Sequence, residues 1–151
     1  MAPGAQQQPS SVLFVCSMNA VRSPMAEALM KYLFPGRIYV QSAGVRPGET
    51  DPLTTAVMDE VGLDLSRHRP RSFDEIDDAS FDLIITLAPE AHHWALELTR
   101  TMAADVEYWP TLDPSLVEGN REQQLDAYRA IRDQLMQKIK RRFDWRGGPS
   151  V

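Results

Sequence analysis

The chain reads as an α/β domain built on a parallel sheet with helices on both faces, and three observations predict it. Four short apolar runs occur near Val12 to Val15, Ile38 to Gln41, Leu83 to Leu87 and Val106 to Trp109. Each is separated from the next by at least one segment of helical periodicity, the alternation that parallel strands with crossover helices produce. At 151 residues the chain is long enough for one sizeable core, and no internal repeat or interdomain linker divides it.

The elements follow in order. The first run ends at Cys16, and Pro24 opens a helix in which Met25, Ala26, Leu29, Met30 and Leu33 recur at three- and four-residue steps. After the second run, Pro52 behind Asp51 starts a short helix carrying Leu53, Ala56, Val57 and Val61, and Gly62 ends it. Ser72 with Glu75 fits a capping box for another brief helix, and Asp77-Asp78 reads as an exposed acidic turn. Pro89 starts a helix leading toward Leu96 and Leu98. Leu125, Tyr128, Ile131, Leu135 and Ile139 mark a long amphipathic final helix. Residues 11–145 are thus expected to form the single domain. Residues 1–10 are expected to be a disordered Gln- and Pro-rich tail, and residues 146–151 a frayed one.

The stretch from Val15 to Pro24 carries the chemistry. It sets a thiol, Cys16, and a guanidinium, Arg22, in the connection between a strand and a helix. Such a connection can curl until successive backbone N–H groups point inward, and with the positive end of the helix dipole they form an anion site. Arg22 at the loop exit adds a bidentate fork for two oxygens. The same field favours the thiolate, the nucleophilic form of Cys16. Ser17, Met18, Ala20 and Val21 supply amides, Asn19 tolerates left-handed backbone, and Ser23 either caps the helix or donates a hydrogen bond to the sulfur. Far along the chain, Asp113-Pro114 offers the proton donor that expulsion of an alkoxide or phenoxide needs. The proline keeps Asp113 out of helical geometry, so it can reach over the site from a loop.

Cys16 to Pro24 with Met25-Ala26-Glu27-Ala28, Gln41-Ser42-Ala43-Gly44, Gly62 to Arg69, Phe81 to Leu87 and Asp113-Pro114 together resemble the low-molecular-weight protein tyrosine phosphatases and the arsenate reductases that share their fold. The resemblance covers nearly the whole chain. It implies a four-stranded sheet in the order 2-1-3-4 with the phosphate-binding loop after strand 1. It also implies Cys16 as nucleophile, Arg22 as phosphate ligand, Asp113 as general acid, and Ser17 through Ser23 as the substrate-binding loop. The departures are specific. Met18 stands where the family's phosphatases have glycine, and Val21 where they have a second cysteine. Ser115-Leu116 and Val45-Arg46-Pro47 replace their aromatic walls. From Trp109 to Pro114, and in the helix carrying Asp126 to Arg129, the chain looks closer to the reductase branch. The cysteines that thioredoxin-coupled reductases carry after strand 3 are absent from Leu87 to Trp94. Cys16 is the sole cysteine, so no disulfide cascade can run within the chain.

The function expected from these features is a metal-independent cysteine phosphatase acting on phosphomonoesters through a cysteinyl-phosphate intermediate. The resemblance points to protein phosphotyrosine or a small phosphomonoester as substrate. The alternatives are arsenate reduction with an external low-molecular-weight thiol, and a noncatalytic module that binds phosphoprotein or anion. No cofactor is called for. His92 and His93 are helical neighbours that cannot both face one metal, so no metal is expected. His68 reads as a structural hydrogen-bonding residue, Arg67, Arg69 and Arg71 as solvated loop charges, and Trp94 and Trp109 as core, with Trp109 near enough in sequence to Asp113 to flank the site. Sixteen Lys and Arg against twenty-one Asp and Glu give a formal charge of −5, which argues against a nucleic-acid or anionic-membrane partner. With no signal-peptide pattern and no membrane-length apolar run, the cytoplasm is the expected compartment.

Overall fold

The computed structural model describes residues 8–76 and 80–147. Strands β1 (Ser11–Cys16), β2 (Tyr39–Gly44), β3 (Leu83–Thr86) and β4 (Asp105–Tyr108) form one sheet in the order β2-β1-β3-β4. Every pairing is parallel, with Val12 opposite Val40 on one side and Leu83 on the other. Helices α1 (Arg22–Leu33), α2 (Pro52–Asp59), α3 (Pro89–Leu98) and α4 (Arg121–Arg142) complete the α/β architecture, and short 3₁₀ turns cover Phe73–Glu75 and Pro114–Leu116. The expected fold and strand order are those observed.

β1 shows why the sheet needs cover on both sides. Successive residues point to opposite faces. Val12, Phe14 and Cys16 face a core shared with α1, α2 and α4, while Leu13 and Val15 face Ala91 and Ala95 of α3. All five are buried among apolar side chains, the continuous apolar reading that a central parallel strand requires. Trp109 belongs to the larger core, its ring edge-on to Phe14 at 6.0 Å, and Trp94 packs edge-on to Phe73 at 5.2 Å.

Several boundaries differ from expectation. α1 begins at Arg22, two residues ahead of Pro24, and no side chain caps it. β2 runs to Gly44 rather than ending at Gln41, because pairing with β1 continues to Cys16. α2 is capped as expected: the Asp51 carboxylate accepts from the Leu53 and Thr54 amides, and the Ser72–Glu75 capping box is formed. Of the two expected tails, residues 1–7 and 148–151 lie outside the described residues, as does the acidic turn at Asp77-Asp78. The remainder of the N-terminal one is tied down. Gln8 donates to the Phe143 carbonyl at 3.2 Å, and the Ser10 amide and hydroxyl both donate to Asp82 Oδ2 at 2.8 and 2.6 Å.

Candidate active site

β1 ends at Cys16 and α1 starts at Arg22, so the five residues between them must reverse the chain at the C-terminal edge of the sheet, where open α/β folds bind ligands. The segment after β2 shapes this loop. The amides of Val45, Arg46 and Gly48 donate to the carbonyls of Cys16, Ser17 and Met18 at 3.1, 3.1 and 3.0 Å. With the carbonyls held outward, the opposite edge of the peptides turns inward. Among the described residues, no backbone carbonyl accepts from the amides of Met18, Ala20 or Val21. Asn19 sits at φ 57, the left-handed turn its residue type tolerates. Gly44 makes the close approach feasible, since a Cβ there would lie 2.6 Å from the Arg46 carbonyl oxygen and 2.7 Å from the Met18 carbonyl carbon.

Behind the loop lies a buried polar network. Ser23 Oγ is 3.0 Å from Cys16 Sγ. Asn19 Nδ2 donates to Ser23 Oγ at 2.8 Å and to Ser42 Oγ at 2.9 Å, and Asn19 Oδ1 accepts from the Arg71 amide at 3.1 Å. Ser42 in turn donates to Glu27. The His68 ring bonds the Asn19 carbonyl at 2.8 Å, the structural role expected of it. Ser23 therefore serves the sulfur and not the helix terminus. Arg71 corrects the reading of a solvated charge: it is half-buried, and its guanidinium donates to the Ser42 carbonyl at 3.2 Å and to Gln41. Arg67 and Arg69 are exposed, as expected.

A cavity of about 360 Å³ opens above Cys16, which lies at its floor only 2% exposed. Ser17, Met18, Ala20, Val21 and Arg22 line it from the loop, and Asp113 and Ser115 from across. Two residues of the expected binding loop, Asn19 and Ser23, do not line the cavity. Both are wholly buried, because their side chains satisfy the network behind the sulfur. Trp109 is also absent from the lining, since its ring belongs to the core.

Arg22 bridges the two halves of the site. Nη1 donates to the Thr111 carbonyl at 2.8 Å, and Nη2 stands 3.9 Å from Asp113 Oδ2. Asp113 is held in turn by the Ser115 amide and hydroxyl, which donate to Oδ1 at 2.9 and 2.7 Å. The opposite wall is formed by Glu49, Thr50, Asp51 and Pro52, a segment that the sequence did not mark as part of the site. Asp51 caps α2 with one oxygen and accepts from the Tyr128 hydroxyl with the other at 2.6 Å. Burial, then the hydrogen bond to Asp51, then the charges of Asp51 and Asp113 push the Tyr128 phenol above its ordinary range, so it remains a donor. Beside Ser17, Arg46 pairs with Glu90 at the start of α3 at 2.6 Å and holds that carboxylate below its usual range.

The arrangement presents a thiol sulfur, loop amides, a guanidinium and a carboxylate around one small space. Among the described residues, no group of three His, Cys, Asp or Glu side chains is placed to hold a metal ion. Residues 11–143 match the family model described as low molecular weight phosphotyrosine protein phosphatase, and the chain belongs to that family of enzymes. It is 31% identical over 129 residues to the glutaredoxin arsenate reductase of a Synechocystis strain, a match spanning 85% of this chain and 92% of that protein. An arsenate reductase solved in its phosphate-binding state superposes with a TM-score of 0.71 at 27% identity, covering 89% of this chain and 97% of the other. The tyrosine phosphatase AmsI of Erwinia amylovora superposes with a TM-score of 0.73 over 95% and 96% of the two chains; at 23% identity that likeness shows the fold alone.

Proposed function

We propose that the chain is a cytoplasmic arsenate reductase in which Cys16 is the nucleophile and an external low-molecular-weight thiol supplies the electrons. Read alone, the sequence ranks hydrolysis of phosphomonoesters first; similarity to arsenate reductases over most of the chain favours the alternative. One observation carries the choice. Among the described residues, no aromatic side chain lines the cavity above the sole cysteine, so the lining offers nothing to clasp a phosphotyrosine ring, while its floor suits a tetrahedral oxyanion of any kind.

In this reading the loop amides and Arg22 bind arsenate, and Cys16 attacks arsenic. Asp113 protonates the departing hydroxyl, which leaves as water, and a sulfur–arsenic bond remains. A thiol sulfur then bonds to Cys16 Sγ. The electron pair of the sulfur–arsenic bond passes to arsenic, reducing As(V) to As(III), and arsenite departs. A second thiol breaks the resulting mixed disulfide, returning the Cys16 thiolate and releasing a low-molecular-weight disulfide. Two thiols are oxidised for each arsenate reduced, and the electrons balance. Ser23, 3.0 Å from the sulfur, is suited to stabilising it each time it leaves. The cytoplasm keeps such thiols reduced.

A second reading, hydrolysis of a small phosphomonoester, is favoured by the placement of Asp113 over the cavity beside Arg22, where a leaving oxygen would need its proton. Arsenite formation and para-nitrophenyl phosphate hydrolysis, measured side by side on native protein and Cys16→Ser, separate the two. The proposal expects thiol-dependent arsenite from the native protein and none from the variant. Phosphate release without arsenite under any thiol would replace it with the second reading.

A further inference from the structure

A tetrahedral oxyanion needs the space of two or three waters, roughly 60–90 Å³. The Cys16 cavity is about 360 Å³, so most of it lies beyond the anion. That outer volume has a distinct character. Met18 and Pro52 give it a short apolar wall, while Glu49, Thr50, Asp51 and Ser115 give it oxygen atoms. Among the described residues, Arg22 is the one cation in the lining, and it is committed to the Thr111 carbonyl, to Asp113 and to the bound anion. Arg46, the next cation along the loop, is paired with Glu90 and does not line the cavity.

The acidic groups are unequal. Asp51 is offset by the α2 amides and the Tyr128 hydroxyl, and Asp113 by Arg22 and Ser115. Glu49 is exposed and, among the described residues, has no ion-pair partner, so its charge dominates the mouth. Any reductant of Cys16 must pass this mouth, because the sulfur is buried at the floor and the chain has no second thiol.

Resting on the reductase reading, we infer that the outer part of the cavity is the subsite for the external thiol, and that it selects a small thiol bearing hydroxyl or ammonium groups over one bearing a carboxylate or sulfonate near its sulfur. Met18 and Pro52 cover the methylene chain of such a thiol. Glu49 and Thr50 accept from its O–H or N–H groups. An anionic thiol would bring its charge against Glu49 with no free cation to meet it.

The test bypasses arsenate, so its outcome is independent of whether arsenate is reduced. Cys16 is first converted to a hydroxyethyl disulfide with hydroxyethyl methanethiosulfonate. Release of free Cys16 by cysteamine, 2-mercaptoethanol and 2-mercaptoethanesulfonate is then followed by intact mass. Each rate is divided by that of the same thiol on a small soluble disulfide, which removes differences in intrinsic nucleophilicity. The inference expects the order cation, neutral, anion, with about a tenfold span at low salt that narrows as salt is added. Glu49→Gln should close much of that span. Equal rates, a faster anion, or a span unchanged in Glu49→Gln would overturn it.

Discussion

At the scale of single residues, the site depends on how Cys16 is held. Its sulfur contacts the Ser23 hydroxyl, and Ser23 is fixed by Asn19, which spans the loop from within. Removing the hydroxyl takes that hydrogen-bond partner away from the sulfur. Ser23→Ala should lower turnover by about tenfold, the kinetic equivalent of one lost hydrogen bond. In the proposed reaction Asp113 acts at a different moment, when an oxygen leaves, so Asp113→Asn should cost on the order of 10²–10⁴ in turnover with a smaller effect on phosphate binding. Steady-state rates with isothermal titration of phosphate check both; equal losses of binding and turnover in Asp113→Asn would argue for a binding role only. That Cys16, Arg22 and Asp113 meet at one cavity was legible in the sequence because their side chains have few uses in that combination. Asp51 and Tyr128 were not. They are 77 positions apart, and each looks ordinary alone, a helix cap and a core aromatic. Arg71, 52 positions from Asn19, was misread for the same reason: only the fold brings it to the carbonyls it clamps.

At the scale of elements, the anion loop is built by the segment that follows β2 as much as by its own residues. Gly44 is the tightest point, and the atoms that a methyl group would meet are all backbone, so no side chain can move aside. Gly44→Ala should cost about 1–3 kcal/mol in denaturant unfolding and weaken phosphate binding in parallel. Unchanged phosphate affinity would show that the loop keeps its shape without this contact. The strands and helices themselves were legible from periodicity, since apolar runs and capping residues act locally. The extension of β2 to Gly44 was not, because pairing with β1 sets where that strand ends. The start of α1 at Arg22 was hidden likewise, since no capping side chain announces it.

At the scale of the whole molecule, α2 and α4 are joined at the surface by Glu60 with Arg129 and Arg132. Hydrogen bonds from Arg129 and then Arg132 hold the Glu60 carboxyl at about 2. A carboxyl lowered on folding contributes stability above its unfolded value, near 4.5, and that contribution fades as pH falls toward 2. Because Glu60 is over a third exposed, screening keeps the effect within about 1 kcal/mol. Glu60→Gln should lower the melting temperature slightly at pH 7 and flatten its decline between pH 4.5 and 2, which thermal scans across that range would check. Whether Cys16 passes electrons from a thiol to arsenate is read from a single turnover. Native protein is mixed with arsenate and one equivalent of a small thiol, and its intact mass is read. Thiol joined by disulfide to Cys16, formed only when arsenate is present and absent in Cys16→Ser, is the predicted result. No such adduct, with arsenate left unreduced while para-nitrophenyl phosphate is hydrolysed, would contradict it.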